Sequence, residues 1–472
     1  MKQNLLLFTL LSFTTSLFAE VLSWRNDGTG GFTDTTPPTD WSAPEATLWS
    51  TPFEESNASA IFADNKLFFM EEPSALVCVD SESGELLWRK ENGLLNLLGL
   101  SEEEIKQAEA TIAESERLDK AIDRKLYEVN RMGRSNLPQE ERDQKMGELL
   151  QEYMALGKEK EALSANDPYG ETVMPAAHPS NGYTSYTPVS DGERIFACFG
   201  SGAVVAYDFS GERLWHRVLD DTDHIFGGSV SPLLVENKLI VKFSDYVALD
   251  PSTGEELWRT PANVNFGTPI HFSLENQAFL FTSRGVVIRV SDGEKLTEEL
   301  VHIENEQMDW TVFNSPVLQG QHLFTVRGIN GEEGHAYHFR IPDTVTLLET
   351  EGLELIWKKD IRKSRYYASP LIHDGLLYAF SDNSWLSVLE ADTGDLVYEH
   401  RLKGMKGVTY PSLVLTGDMI FAGSETGNVT FFKPGRAYEE IATSEIVPYR
   451  STPIFIEDKV YVRTREDIRA IQ

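Results

Sequence analysis

An all-β chain folded as an eight-bladed β-propeller, closed by its N- and C-terminal strands and carrying one inserted α-helical hairpin, is the architecture the sequence predicts. Three observations predict it. Seven times between Gly84 and Tyr438 a turn glycine is followed within a few residues by a strand ending in an aromatic or its replacement, most clearly in Gly84-Glu85-Leu86-Leu87-Trp88, Gly211-Glu212-Arg213-Leu214-Trp215 and Gly254-Glu255-Glu256-Leu257-Trp258. Short apolar strands open after Thr187-Pro188, Ser231-Pro232, Thr268-Pro269, Ser315-Pro316, Ser369-Pro370 and Thr452-Pro453, and pass hairpin turns such as Asp191-Gly192 and Asp374-Gly375 into a second apolar strand. Four antiparallel strands recurring at about 40 to 50 residues make a propeller blade. Finally, three strands near Pro453 to Ile456, Val460 to Arg463 and Ile468 to Ile471 lack a fourth, and Thr47-Leu48-Trp49-Ser50 has the character of the missing one. Sewing the last blade from both termini removes the open edges.

Taken in order, residues 1–19 combine Lys2, an apolar run from Leu5 to Phe13 and the small Ala19. This reads as a secretory signal, because a membrane span needs about 20 apolar residues. No cysteine follows the run, so a lipid anchor is not expected, and the mature chain is expected to be a soluble periplasmic or secreted monomer without a transmembrane segment. Residues 20–46 form a lead-in. Its Asp27-Gly28-Thr29-Gly30-Gly31 lacks the preceding strand and following lysine of a phosphate loop and is read as flexible. Residues 47–472 form the propeller, with the hairpin, residues 100–164, inserted between blades one and two.

The hairpin is read from the helical spacing of Ile105, Ala108, Ile112, Ile122, Leu126 and Val129, then Met146, Leu149, Leu150, Tyr153, Leu156 and Leu163. Ser101 and Glu104 make a capping box, and Gly133 to Pro138 breaks the pattern. The apolar stripe either seals the two helices together or forms a seam for a partner. A second interruption, Ile341 to Gly352, is read as a surface excursion in the fifth repeat, and Lys295-Leu296-Thr297 as a degenerate fourth strand.

The chain carries 74 acidic against 42 basic residues, a net charge of -32, which excludes nucleic acid as the partner. Cys78 and Cys198, the only cysteines, each lie in an apolar strand and read as small buried hydrophobes rather than a bridge.

Residues just before each inner strand should ring the mouth of the central channel. The candidates for binding are Tyr186, His224, Phe266, Trp310, Asn314, Arg365, Tyr367, Tyr410 and Arg450, whose aromatic, amide and guanidinium groups suit a planar or sugar-like ligand. The same aromatics could instead plug the channel. Trp49, Trp88, Trp215, Trp258 and Trp357, at the ends of fourth strands, are assigned structural roles. No His-rich spacing supports zinc, while Asp223, Asp309 and Asn314 are oxygen donors of the kind calcium takes. His178 is a weaker candidate.

The stretch Val247-Ala248-Leu249-Asp250-Pro251-Ser252-Thr253-Gly254-Glu255-Glu256-Leu257-Trp258-Arg259 resembles the pyrroloquinoline-quinone (PQQ) repeat of quinoprotein alcohol dehydrogenase-like propellers, and Leu76 to Arg89 and Val205 to His216 resemble it nearly as well. The lead-in Trp24-Arg25-Asn26-Asp27-Gly28, the hairpin and Asn181-Gly182-Tyr183-Thr184-Ser185 are similar to exported PQQ-like repeat proteins of the planctomycete and verrucomicrobial group. That superfamily holds calcium- and quinone-dependent dehydrogenases and cofactor-free propellers of the BamB type. The resemblance therefore implies either of two functions: a non-catalytic scaffold binding an envelope protein without a cofactor, or an oxidoreductase using PQQ and calcium, for which Asp223 and Asp309, read from the residues alone, are the first bases to test. It transfers no catalytic residue, because fold does not fix function.

Overall fold

A computed structural model describes residues 20–133, 137–165, 181–220, 227–262, 266–301, 312–329 and 334–472. These residues form eight sheets, and the order of strands within each follows the chain except in two: Gly31–Phe32 adds a fifth strand beside Val414–Thr416, and in the last sheet Thr47–Pro52 from the N-terminal side pairs with Asp467–Ile471. The eight-bladed propeller read from the repeats is therefore the fold observed.

Blade 1 shows how the repeat makes a sheet. Its strands are Ile61–Ala63, Lys66–Glu71, Ala75–Asp80 and Leu86–Glu91. The three inner strands are almost wholly buried, and the fourth is largely exposed. At the turn before the fourth strand, Asp80 Oδ1 accepts from the backbone N–H groups of Glu82 (3.1 Å) and Ser83 (2.8 Å), and the Gly84 N–H donates to the Asp80 carbonyl at 2.8 Å. Cys78 then pairs with Trp88 but Val79 with Leu86, so Leu87 is the extra residue of a β-bulge that re-aims the indole. The same shift recurs at Trp215, Trp258 and Trp357 and, in the last blade, at Trp49.

Each of these indoles docks on the next blade. Their Nε1–H groups donate to the carbonyls of Ser81, Phe209, Pro251, Val290 and Ala391, for Trp49, Trp88, Trp215, Trp258 and Trp357 in turn, at 2.8–3.0 Å. The ring lies over the next blade's turn glycine, which takes a positive φ and has no room for a Cβ.

The hairpin helices are Glu102–Gly133 and Gln139–Ala165. The Ser101 hydroxyl accepts from the Glu104 N–H at 3.4 Å while the Glu104 carboxylate accepts from the Ser101 N–H at 2.8 Å. The helices pack on each other, and ion pairs Lys125–Glu152 (2.6 Å) and Arg117–Glu159 (3.8 Å) and a Lys160–Asp119 bond cross between them. The buried stripe is narrower than its spacing predicts: Leu126 and Leu150 face solvent, and Leu118 takes the central buried place.

Two expectations are corrected. Ile341 to Gly352 is not a plain surface excursion: Val345–Glu351 is a helix capped by Thr344, and Val345 and Leu348 are buried against Phe339, Leu353 and the fourth blade's Phe272 and Phe279. The fourth blade has three strands, its fourth reduced to a bridge between Ile288 and Lys295, and this helix covers apolar surface there.

The lead-in is not flexible. Val21 exchanges backbone bonds with Phe62 in the first strand of blade 1, and the Leu22 carbonyl accepts from Ser190 in that of blade 2. The chain then turns at Arg25 to Gly30 and runs back as Gly31–Phe32, parallel to the first strand of blade 7, Val414–Thr416, before the Thr36 N–H meets the Glu457 carbonyl in a turn of blade 8. First strands surround the axis, so this loop occupies the channel, entering and leaving at their turn ends. Arg25 is 1% exposed and donates to the carbonyls of Thr29, Pro370 and Leu413 at 2.8–3.1 Å. Burial without a paired carboxylate pushes its guanidinium down to about 9.

Candidate functional site

At the opposite end of the channel, where each fourth strand connects to the next first strand, lies a well of about 410 Å³. It is built from the repeat. One hydroxyl residue stands near the start of every first strand: Ser59, Thr187, Ser231, Thr268, Ser315, Ser369, Ser412 and Thr452, and all eight line the well. Seven links of this ring are hydrogen bonds of 3.0 Å, in which the backbone N–H of one blade donates to the hydroxyl of the next, from Ser59 to Thr187 and round to Thr452, which donates to Ser59. The eighth pair, Thr268 and Ser315, has no such bond among the described residues.

Two residues before each ring hydroxyl, the side chain faces the well. In blade order these are Asn57, Ser185, Ser229, Phe266, Phe313, Tyr367, Tyr410 and Arg450. Three of the eight are therefore small and polar, four form an aromatic arc, and one is a guanidinium. Ring centroids along the arc are 5.5 Å apart from Phe266 to Phe313, 4.8 Å from Phe313 to Tyr367 and 4.9 Å from Tyr367 to Tyr410. Arg450 closes the arc, its guanidinium 4.6 Å from the centre of the Tyr410 ring and paired with Glu425 at 2.9 Å. Burial raises the Tyr410 hydroxyl's pKa. Arg365 Nη1 donates to the Tyr367 hydroxyl at 3.1 Å, and Arg365 makes no ion pair among the described residues.

The turn of the lead-in lies at the well, where Trp24 joins the lining. Asn181 and Ser185 are held in place by Glu72, whose carboxylate accepts from the N–H groups of Tyr183 (2.9 Å) and Thr184 (2.8 Å) and from the Thr184 hydroxyl. Burial raises the Glu72 pKa despite these bonds.

Of the residues proposed from sequence, Phe266, Arg365, Tyr367, Tyr410 and Arg450 meet in the well. Tyr186 and Asn314 do not: each sits one residue before the ring hydroxyl and points into the protein, Tyr186 against Phe243 and Asn314 with its Nδ2 donating to the Tyr366 carbonyl at 2.8 Å. His178, Asp223, His224, Asp309 and Trp310 lie outside the described residues. Missed were Trp24, Asn57, Asn181, Ser185, Ser229 and Phe313. For Asn57, Ser185, Ser229 and Phe313 the signal was the register itself, counted back from each ring hydroxyl, whereas Trp24 and Asn181 stand outside that register. Cys78 and Cys198 are free, buried thiols in different clusters, and burial pushes Cys78 up to about 12.

No group of three metal-ligating side chains occurs among the described residues, and the described lining contains no carboxylate, imidazole or thiol. Calcium takes six to eight oxygens with carboxylates prominent among them. Among the described residues of the lining, hydroxyls and amides beside two guanidiniums do not fit a calcium-held quinone.

The chain matches a family model described as outer membrane protein assembly factor BamB over residues 150–343 and 327–469. Among solved structures, BamB from Moraxella catarrhalis is similar with a TM-score of 0.54 at 10% identity, over 90% of this chain and 99% of that one. A computationally designed protein, Ika8, gives 0.54 at 10% identity over the same shares of the two chains. Quinohemoprotein alcohol dehydrogenase from Comamonas testosteroni gives 0.53 at 9% identity, over 96% of this chain and 80% of that one. No curated protein matches. An assembly factor, a designed protein and a dehydrogenase share this scaffold, so the structural likeness speaks for fold alone.

Proposed function

This chain belongs to the PQQ-like repeat family whose model is described as outer membrane protein assembly factor BamB, and from that premise we propose that it is a non-catalytic binding propeller of the cell envelope, engaging a protein partner through the face that carries the well and the hairpin's connector. The observation that carries this reading is the composition of the well. Proton transfer near neutral pH needs a group such as imidazole or a tuned carboxylate, and a serine nucleophile needs an adjacent base. The described wall supplies neither. What it supplies is stacking surface, amides, hydroxyls and guanidiniums, which are groups for recognition. The family's description supports an envelope location, and no described helix is long and apolar enough to cross a membrane.

The rival is a PQQ- and calcium-dependent oxidoreductase. We derive no step through the quinone, because the described residues do not fit it. Titrating the mature protein with PQQ, with and without calcium, and following tryptophan fluorescence and thermal unfolding separates the two. The expected result is no saturable, calcium-dependent response; a response would overturn the binding reading and make Asp223→Asn and Asp309→Asn the next variants. The positive arm places a photo-crosslinking residue at Ser229 in the well or at Tyr127, exposed on the first hairpin helix, in producing cells. A discrete polypeptide adduct is expected, and absence of one from both positions counts against the proposal.

A further inference from the structure

We infer that the well receives the carboxylate-bearing C-terminal end of a partner polypeptide, with the last side chain against the aromatic arc and the terminal carboxylate between Arg365 and the hydroxyl ring. The inference rests on the binding reading above and names the chemistry of what is bound.

The well has a floor. The lead-in loop fills the channel from the turn side and reverses at Arg25 to Gly30, leaving Trp24 in the lining. A chain entering from the connector side therefore cannot run through the propeller, and the space admits an end. At about 410 Å³ it is the size of a small-ligand pocket, so only the last few residues enter.

The floor donates. In seven of the ring links the hydroxyl oxygen accepts from a neighbouring backbone N–H. A hydroxyl that accepts still has its own proton to give. None of the eight ring hydroxyls donates to a protein acceptor among the described residues, and all eight line the well. A ring of unspent O–H groups calls for an acceptor with several lone pairs. Arg365 adds a positive charge that no described carboxylate neutralises, whereas Arg450 already holds Glu425. A carboxylate satisfies both, and a guanidinium with hydroxyl donors recognises it by charge-assisted bonds.

The wall is divided as a peptide is. Phe266, Phe313, Tyr367 and Tyr410 offer one continuous aromatic arc, and Asn57, Asn181, Ser185 and Ser229 form a polar side across from it, in which Asn57 Nδ2 donates to the Ser185 hydroxyl at 3.2 Å and that hydroxyl donates to the Asn181 carbonyl. An extended chain end presents a side chain to one and its peptide groups to the other. The interior already takes main chain in this manner, since the lead-in pairs with the free inner edges of blades 1, 2 and 7.

The test uses the mature protein and fluorescein-labelled hexapeptides of Gly and Ser ending in Phe, prepared as the free acid and as the C-terminal amide, with binding read by fluorescence anisotropy. The free acid is expected to bind at least about tenfold more tightly than the amide. Arg365→Gln should erase that difference by weakening the acid alone, with unchanged thermal unfolding, and Arg365→Lys should restore part of it. Equal binding of acid and amide, a preference that survives Arg365→Gln, or no binding of either up to millimolar peptide would overturn the inference. N-acetylphenylalanine binding as tightly as the hexapeptide would also overturn it, assigning the well to a small aromatic acid. If the peptides fail while a photo-crosslinked polypeptide is found, the binding reading stands and only the terminal carboxylate falls.

Discussion

The contact between a fourth-strand tryptophan and the next blade's turn glycine should behave as one energetic unit, and Trp258 with Gly293 is the place to measure it. Trp258 is 8% exposed, and its Nε1–H donates to the Val290 carbonyl at 2.8 Å. Truncating a buried aromatic to alanine typically costs about 3 to 5 kcal/mol, so Trp258→Ala is placed there. Gly293 has φ +78°, and a Cβ on it would lie 2.6 Å from the indole Cε3. Gly293→Ala therefore carries about 1 to 2 kcal/mol of left-handed backbone strain and about 1 to 3 kcal/mol of overpacking. In the Trp258→Ala background the second contribution largely disappears, leaving the strain and a close approach to the Thr260 hydroxyl at 2.7 Å. The double variant should thus be more stable than the sum of the single losses predicts, by about 1 to 3 kcal/mol. Urea unfolding followed by far-ultraviolet circular dichroism measures this, with constant m-values as the check that the same transition is compared. Additivity to within about 0.5 kcal/mol would refute the argument, because the glycine would then be required by its φ alone and the indole would be an independent neighbour.

Two further outcomes follow from the channel and from pH. Deleting residues 20–36 exposes the surface that covers Val21 (2% exposed) and Phe32 (5% exposed); burying such side chains contributes about 1.5 to 3 kcal/mol each, so a lower melting temperature and increased binding of a hydrophobic dye are expected, and unchanged melting would mean the loop is not part of the core. Burial and the nearby His322 depress His338 to about 4, below its unfolded value of about 6.5. Its contribution is therefore complete above pH 6.5 and is lost as pH falls through about 4, up to about 3 kcal/mol. His338→Gln should flatten stability over that window. Glu72 works in the opposite sense, since its raised pKa makes protonation stabilising as pH falls, and Glu72→Gln run beside it separates the two.

Most of the blades were legible because their determinants are local. The Asp80 turn bonds, the glycine at positive φ and the bulge before Trp88 all fall within a dozen residues, so their pattern survives in sequence. The ring hydroxyls were legible in six blades through the following proline, and hidden at Ser59, followed by Ala60, and at Ser412, followed by Leu413. The lead-in was not legible, because what orders it lies far along the chain: Arg25 meets Pro370 and Leu413, and Gly31 pairs with Leu415. A glycine-rich segment looks flexible until the strands that bind it are in place. At the site, aromatic and charged residues were found and small polar ones were not. Tyr186 and Asn314 fall off the wall because the approach to an inner strand alternates, and one step of register sends a side chain into the protein instead of the well.

That alternation separates what the repeat holds constant from what it leaves free. At the ring position every blade has Ser or Thr, and in seven of the eight the hydroxyl accepts the neighbour's backbone N–H and fixes the spacing of adjacent inner strands. Two residues earlier the side chain makes no such structural bond of the ring, and the eight copies differ: one amide, two hydroxyls, four aromatics and one guanidinium. Substitutions there leave the backbone-to-hydroxyl ring intact, because neither partner in those bonds belongs to the substituted residue, and on the proposed reading they would change recognition alone. The repeat thus places eight variable positions around one well, neighbours among them in contact, and their sequence round the ring is polar on one side and aromatic on the other. On the proposed binding reading, the selectivity of this well resides in the residues that the periodic pattern does not predict.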